Sequence, residues 1–285
     1  MEKIAVLIDS TSFLSEELKK ELDIRTVYLN IVINNHSYKE IIDMTADKYY
    51  EYLRDTNNSF PTTSQPAIGE VVACLEKLKE EGYTDVIAIA LSSGISGACS
   101  SYTVAGLMVD GINVHPFDSE VSCKPEGWYA IKAANLIKEG KNSNQIISAL
   151  NEMKKVSKAY FMADDLSHLQ RGGRLSGAQA LVGSLLQVKP LLHFEDKIIV
   201  PFQKIRTYKK VVLRMYELFD EFYQEHKGEN IHVCVLHVYA IEKAHEIKEY
   251  LEDKYPDIAI EIDAISPVIS THLGLGAIGF GWTIL

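Results

Sequence analysis

Small polar turns follow several hydrophobic segments of this 285-residue chain. Each of these turns is rich in hydroxyl groups, guanidinium groups or glycine; they comprise Thr63–Pro66, Ser92–Gly97, Arg171–Arg174 and His272–Gly276. Side-chain donors and backbone N–H groups gathered in this way suit an anion such as a carboxylate or a phosphate. The spacing of these turns therefore predicts an anion-binding site.

The turn at Thr63 and Ser64 also has a purely structural interpretation. Both hydroxyls precede a predicted helix that begins near Ile68, and Ser64 or a neighbour could cap that helix. Pro66 then lies near the helix start, where proline is tolerated. The residue types alone leave ligand binding and capping equally open.

Ser93 and Ser96 belong to a turn that follows a predicted buried strand. A Ser/Gly turn at this place can hold a phosphate or serve as a tight turn with a helix cap. The segment lacks the lysine of a P-loop. Ala98 stands where a nucleophile elbow would have its second glycine, so Ser96 does not match that motif.

Five further positions carry charged or titratable groups. Arg171 and Arg174 flank a glycine pair and could clamp a planar anion, or could be solvated arginines on a loop. His272 lies in an otherwise apolar segment, where it is either a structural residue or a donor to a carboxylate. Asp9 and Asp118 each end a predicted strand before a serine, which suits a helix cap as well as a catalytic carboxylate.

Composition excludes several classes of protein. The net charge of −10 and the pI near 5.4 argue against a nucleic-acid-binding surface. The first residues lack the apolar core of a signal peptide, and no segment has the roughly 20 apolar residues of a membrane span. No C-x-x-C spacing suggests a zinc site among the scattered cysteines. We expect a cytoplasmic protein without a metal.

Strands and helices alternate in the first half of the sequence. The predicted strands include Ile4–Ile8, Asp85–Leu91 and Ile112–Phe117, with helices between and after them. This order predicts an α/β domain with a parallel sheet. Such sheets bind ligands at the carboxyl ends of their strands, where the polar turns lie.

The pattern changes near residue 158, and we predict an N-terminal domain over 1–158 and a C-terminal α+β domain with a mixed sheet over 159–285. A hairpin is expected around Glu195–Lys197, between strands at Val188–Phe194 and Ile198–Lys204. Two segments rich in small apolar residues, Ala178–Leu186 and Ala277–Phe280, leave room for a long apolar ligand or for close helix packing. The two domains are expected to enclose a cleft.

Together these motifs resemble the DegV family of bacterial fatty-acid-binding proteins over essentially the whole chain. The matching segments are Val6–Thr11, Thr63–Pro66, Ser92–Gly97, Asp118-Ser119, Gly172–Arg174, Lys189–Leu192 and His272–Ala277. The sequence departs from the family pattern at Ala98, where threonine is usual, and at Leu275, where proline is usual.

The resemblance implies two α/β domains that hold one long-chain fatty acid in a closed apolar tunnel at their interface. The carboxylate would be bound by Thr63 and Ser96, with Ser64 and Ser93 nearby and His272 as a further donor. Arg171 and Arg174 would lie at the mouth of the site or dock a partner. That partner would be an ATP-dependent fatty-acid kinase, and the chain itself would be a carrier and not an enzyme. It would need no cofactor or metal. Any contact with membranes would be transient.

Physical chemistry is compatible with this role, because burying a long acyl chain contributes on the order of 10 kcal/mol. The carboxylate then needs hydrogen bonds once it leaves water. The alternative function is an acyl hydrolase or phosphotransferase that uses the Ser92–Gly97 turn. A hydrolase requires Ser96 within hydrogen-bond reach of His272, with a third group orienting the imidazole. A sensor of small anions is a third hypothesis.

Overall fold

The computed structural model describes residues 2–175 and 189–285. The predicted segment Ala178–Leu186 and the first residue of the predicted hairpin, Val188, lie outside this part of the chain. The strands are β1 (Ile4–Asp9), β2 (Ile24–Val27), β3 (Asn30–Ile33), β4 (His36–Lys39), β5 (Thr62–Ser64), β6 (Asp85–Ala90), β7 (Asn113–Asp118), β8 (Lys158–Met162), β9 (Lys189–Glu195), β10 (Ile198–Ile205), β11 (Ile231–His237), β12 (Ile260–Ala264) and β13 (Ile278–Ile284).

The helices are α1 (Glu16–Glu21), α2 (Ala46–Arg54), α3 (Ile68–Glu80), α4 (Ala98–Met108), α5 (Lys124–Lys138), α6 (Ser143–Val156), α7 (Ser167–Arg171), α8 (Tyr208–Glu225), α9 (Ile241–Lys254) and α10 (Pro267–Leu273). A short 3-10 turn at Ser10–Ser12 follows β1. Within the described ranges, none of these helices combines the length and the apolar character that crossing a membrane requires.

Four strands form a parallel sheet in the order β2-β1-β6-β7. Every residue of β1 and β6 is buried, which explains why their sequences are continuous apolar runs. The α/β prediction with a parallel sheet is confirmed. Helices α4 and α5 pack against this sheet and follow its strands β6 and β7 along the chain.

A six-stranded mixed sheet has the order β10-β9-β8-β13-β11-β12. Its neighbours are antiparallel except for β11 and β12, which run parallel. The sequence correctly predicted a mixed sheet and the hairpin between β9 and β10. Gly281 in β13 lets the sheet approach α5, because a Cβ there would lie 2.8 Å from Cγ of Pro125.

The segment that holds Thr63 and Ser64 differs from its predicted capping turn. Residues Thr62–Ser64 form β5, the edge of a small antiparallel sheet of order β4-β3-β5. Helix α3 starts after Ala67, and no side chain caps it. Three polar residues carry no apolar–polar alternation from which a strand could be predicted. Strand β5 forms because it pairs with the apolar strand β3.

The domain boundary near residue 158 stays a prediction. The strands of the parallel sheet and of the small sheet all precede this residue, and the mixed sheet begins with β8 at Lys158. Helices α5 and α6 contact β13 of the mixed sheet, so the sheets share packing across the predicted boundary.

Candidate functional site

A cavity of about 370 Å³ lies between the carboxyl ends of the parallel strands and the mixed sheet. Its volume falls in the range of ligand sites, roughly 300–1,000 Å³. Polar side chains line one part of it, namely Thr63, Ser64, Gln65, Ser96, Arg174 and His272. The remaining wall is mostly apolar and includes Phe161, Phe194, Ile199, Leu236, Ile269 and Phe280. Such a cavity suits an amphipathic ligand with a single polar end.

His272 lies near the end of α10 and is 9% exposed. Burial lowers the pKa of its imidazole to about 3, and the nearby positive groups Arg174 and His168 act in the same direction. His272 is therefore neutral at physiological pH. It can donate one hydrogen bond and accept another, but it brings no charge to the cavity.

The imidazole of His272 is held against Thr63. Its Nε2 atom lies 2.8 Å from Oγ1 of Thr63. The other nitrogen, Nδ1, is buried and has no hydrogen-bond partner among the described residues. A bare lone pair is less costly to leave buried here than an N–H group, so we assign the proton to Nε2.

This tautomer has a consequence for Thr63. If Nε2 donates to Oγ1 of Thr63, the hydroxyl hydrogen of Thr63 remains free to donate into the cavity. Gly172 keeps the imidazole in place from its other side, because a Cβ at Gly172 would lie 2.1 Å from Nδ1. The site therefore requires a residue without a side chain at Gly172 of the Arg171–Arg174 turn.

Ser96 and Gln65 complete the polar end of the cavity. Ser96 accepts a hydrogen bond through Oγ from the backbone N–H of Ala98, at 3.3 Å, and its own hydroxyl hydrogen is free to donate. Gln65 donates through Nε2 to Oγ of Ser101 in α4, at 2.8 Å. Its carboxamide lies against Gly97, where any side chain would collide with it. Ser64 also lines the cavity and is exposed.

The two predicted arginines occupy different places. Arg174 lines the cavity and donates through Nε to the carbonyl of Ile95 at 3.0 Å. Within residues 2–175 and 189–285, no carboxylate lies within salt-bridge distance of this guanidinium. Desolvation lowers its pKa, but it remains a cation. Arg171 ends α7, is exposed, and stacks over the ring of Phe60 at 5.3 Å.

Ser93 is placed away from the predicted carboxylate clamp. It is exposed and donates through Oγ to Oδ2 of Asp118, at 2.5 Å, while its N–H donates to Oδ1. Lys197 of the hairpin turn completes this cluster at 3.0 Å from Asp118. The described cavity wall includes neither Ser93 nor Asp118, so we correct the expectation that Ser93 lies beside the ligand. Ser93 and Ser96 belong to the same turn but face different surroundings, which the sequence of the turn does not reveal.

Asp9 behaves as the capping residue that one interpretation predicted. Its carboxylate accepts hydrogen bonds from the N–H and hydroxyl of Thr11 and from the N–H of Leu91. It is fully buried and does not line the cavity wall described above. Gln65 also lines the cavity and was not among the predicted site residues, although its position directly after Thr63 and Ser64 was a usable signal. In the described part of the chain, no group of three or more metal-ligating side chains is placed to hold an ion.

A family model for uncharacterised proteins of the DegV family matches residues 3–284. This chain belongs to the DegV family. The protein DegV of Bacillus subtilis is 50% identical over 280 residues, which cover 98% of each chain. A DegV domain-containing protein of Listeria innocua is 46% identical over 283 residues, or 99% of each chain.

Solved structures of DegV proteins share the same fold. DegV of Bacillus subtilis, described as a fatty acid binding protein, superposes with a TM-score of 0.94, at 49% identity and with full coverage of both chains. A fatty acid binding DegV family protein of Streptococcus agalactiae superposes with a TM-score of 0.91 at 30% identity, again over both complete chains. The α/β architecture with separate parallel and mixed sheets is therefore that of the DegV family.

Proposed function

We propose that this protein binds one long-chain fatty acid in the cavity described above, with the carboxylate at the Thr63–Ser96 end. The observation that carries the proposal is the division of one cavity into a polar end and an apolar remainder. The description of two structural relatives as fatty acid binding supports the same assignment.

Thr63, Ser96 and His272 hold the carboxylate in this proposal. The hydroxyls of Thr63 and Ser96 donate to its oxygens, and His272 contributes by orienting Thr63 through the 2.8 Å contact. The Arg174 guanidinium and the cavity-lining Ser64 lie at the same end of the cavity. Hydrogen bonds to a charged acceptor are worth about 1.5–3 kcal/mol each, so two hydroxyls fix the headgroup while the apolar wall supplies most of the affinity.

The protein then presents the bound carboxylate to a separate fatty-acid kinase. One carboxylate oxygen attacks the γ-phosphorus of ATP, the bond to the bridging oxygen breaks, and ADP leaves with the electron pair. The products are an acyl phosphate and ADP. In this division of labour the carrier supplies position and the kinase supplies the chemistry. The exposed guanidinium of Arg171 is placed at the surface, where it can contact an acidic partner.

The hydrolase alternative needs a hydrogen bond between Ser96 and His272, and the hydrogen bonds of the described residues do not include one. Among the hydrogen bonds of the described residues, that of His272 goes to Thr63, and Oγ of Ser96 is bonded to the N–H of Ala98. A Ser–His pair oriented by a third group is the arrangement that acyl hydrolysis would need. The observations favour the carrier.

Extraction and mass spectrometry of the purified protein test the first part of the proposal. We expect a co-purified long-chain acid, and we expect the delipidated protein to take up hexadecanoic or oleic acid. Retention of neither acid would contradict the carrier function. Ester hydrolysis by the pure chain that disappears in Ser96→Ala would instead support the enzyme.

A coupled assay tests presentation to the kinase. Loaded protein, a fatty-acid kinase and ATP are expected to give an acyl phosphate that hydroxylamine traps as the hydroxamate. Arg171→Ala is expected to lower this rate while the affinity for the acid stays the same, because Arg171 is not part of the described cavity wall. An unchanged rate would remove Arg171 from the docking surface.

A further inference from the structure

A second cavity of about 310 Å³ adjoins the first. The loop after β7, helix α5 and the end of α6 line one side of it, and strands β8, β9 and β10 line the other. Ala159, Tyr160 and Phe194 line both cavities. These three residues therefore form a shared wall between the two spaces.

The shared wall lies at the end of the first cavity away from His272. Ala159 is near the start of β8, and the chain after β8 leads through α7 to Gly172 beside the imidazole. Ala159 pairs with Gly281 of β13, whereas Met162 pairs with Ile278 at the end of β13 that follows α10. A strand rises about 3.3 Å per residue, so Ala159 and Ile278 are roughly 10 Å apart along the sheet. A chain anchored at Thr63 would point its far end towards this wall.

Polar groups make up a larger share of the wall in the second cavity than in the first. Tyr129 contributes a phenol that is completely buried and whose hydroxyl has no hydrogen-bond partner within the described residues. Burial raises the pKa of this phenol to about 12, so it remains a donor at neutral pH. Ser157 and His193 also line the cavity, and burial lowers the pKa of His193 and favours its neutral form.

Two lysines line this cavity, and the half-buried one is paired. Lys154 donates through Nζ to the carbonyl of Asp118 at 2.7 Å and to Oε1 of Glu120 at 3.1 Å. Lys158 is exposed, and its Nζ donates to the carbonyl of Lys155 at 3.2 Å.

The hydroxyl of Ser157 is also engaged, with the carbonyl of Met153 and Oγ1 of Thr283. The neutral polar groups left to meet a ligand are the phenol of Tyr129 and the imidazole of His193. They suit a hydroxyl group better than a methyl group, which gains nothing from them.

We propose that the second cavity is a distal subsite for the far end of the acyl chain, and that it accepts a long-chain acid carrying a terminal hydroxyl group. The hydroxyl passes the shared wall beside Phe194 and accepts a hydrogen bond from Tyr129. The ring of Phe194 is half-buried and lies tilted against Phe161, with 5.8 Å between ring centres, and it is the part of the wall that moves in this proposal. This inference rests on the proposed fatty-acid function and adds a ligand class to it.

A comparison of two ligands on the delipidated full-length protein tests the distal subsite. Hexadecanoic acid and its ω-hydroxy derivative compete with a fluorescent fatty acid for the cavity. A closed apolar tunnel would bury the hydroxyl without a partner and weaken binding about tenfold or more. With the distal subsite, we expect the two affinities to differ by less than about tenfold, because Tyr129 replaces the lost water. A penalty of tenfold or more in the wild-type protein overturns the inference.

A matched pair of variants assigns the effect to Tyr129. Tyr129→Phe removes only the hydroxyl, and we expect the affinity for the hydroxy acid relative to hexadecanoic acid to fall about three- to tenfold. Tyr102→Phe is the control, since Tyr102 is also fully buried with an unpartnered hydroxyl in the described structure but does not line the second cavity. Equal ratios in the two variants contradict the assignment. Each variant is characterised by the ratio of its affinities for the two acids. A general loss of stability lowers both affinities and leaves this ratio unchanged.

The two proposals fail in different ways. If hexadecanoic acid does not bind, the fatty-acid function is wrong and the distal subsite falls with it. If hexadecanoic acid binds but the hydroxy acid is rejected, the fatty-acid function stands and the distal subsite is wrong. Phe194→Ala gives an independent readout, because joining the cavities is expected to shift the preferred chain length upwards. An unchanged length preference would show that Phe194 does not separate the cavities.

Discussion

At the scale of single residues, the hydroxyl of Thr63 links the neutral imidazole of His272 to the cavity. Thr63→Val keeps the shape of the side chain and removes the hydroxyl. We expect the affinity for a long-chain acid to fall about tenfold or more, because one hydrogen bond to the carboxylate is lost. Thr62→Val is the matched control in the same strand, since Thr62 is exposed and does not belong to the described cavity wall. Similar affinities of the two variants, measured by calorimetry, would exclude Thr63 from the site.

The low pKa of His272 predicts a pH dependence of stability. The folded protein keeps the imidazole neutral down to about pH 3. The unfolded chain binds a proton near pH 6.5, so it binds more protons than the folded state between these values. This group therefore contributes stability above pH 6.5 that is lost as the pH falls, at up to about 1.4 kcal/mol per pH unit.

His272→Gln removes that titration, so we expect the variant to lose less unfolding free energy than the wild type between pH 6.5 and 4.5. Urea unfolding at several pH values measures the difference. Thr63→Val keeps the imidazole and should keep the wild-type slope. Parallel pH profiles for the wild type and His272→Gln would mean that the imidazole is solvated in the folded protein.

Residue types identified the polar end of the cavity better than they identified individual roles. Thr63, Ser64, Ser96, Arg174 and His272 line one cavity, as a shared anion site requires. The contact between Thr63 and His272 joins positions 209 residues apart, which no local pattern encodes. The role of Ser93 could not be predicted from its residue type, because its hydrogen bond to Asp118 depends on the direction of its side chain.

At the scale of elements, α7 and α10 position the imidazole from two sides. Gly172 follows α7 and has an ordinary helical backbone, so alanine there introduces no backbone strain. A Cβ would nevertheless lie 2.1 Å from Nδ1 of His272. We expect Gly172→Ala to push the imidazole away from Thr63 and to weaken fatty-acid binding about tenfold, through loss of the oriented hydroxyl.

A helical glycine elsewhere provides the control for Gly172→Ala. Gly69 in α3 has open space where its Cβ would lie, so Gly69→Ala should leave binding unchanged and stabilise the protein by about 0.5–1 kcal/mol. Binding titrations and thermal unfolding of both variants separate the two effects. Normal binding by Gly172→Ala would show that α7 is free to move away from α10.

The long elements were predictable, whereas the short ones that form the site were not. The sequence correctly placed the strands β1 and β6 and the hairpin of β9 and β10, because each carries an apolar run or a clear turn signal. Strand β5 and helix α10 have three and seven residues, too few for a period to appear. Both depend on tertiary packing, and both carry residues of the candidate site.

At the scale of the whole molecule, a buried carboxyl group ties the parallel sheet to α10. Glu40 is fully buried, accepts a hydrogen bond from Oγ of Ser10 at 2.5 Å, and accepts another from the N–H of Val268 at 2.9 Å. Ser10 follows β1, and Val268 is the second residue of α10, the helix that carries His272. Within the described ranges no cation pairs with Glu40, and burial raises the pKa of its carboxyl to about 7, with nearby Asp9 adding to the rise.

Glu40 therefore makes the stability of the whole protein depend on pH in the sense opposite to His272. An acid whose pKa is raised on folding contributes stability that is present below its unfolded value, near pH 4.5, and is lost as the pH rises to about 7. Glu40→Gln can keep the bond from Val268 and has no charge to bury. We expect the unfolding free energy of the variant, relative to the wild type, to rise by about 3 kcal/mol between pH 4 and pH 8. Paired denaturant titrations at the two pH values test this, with the pH 4 comparison as the internal control for any loss of packing. A constant difference would mean that the pKa of Glu40 is the same in the folded and the unfolded protein, so that at neutral pH the link between β1 and α10 is held by a charge.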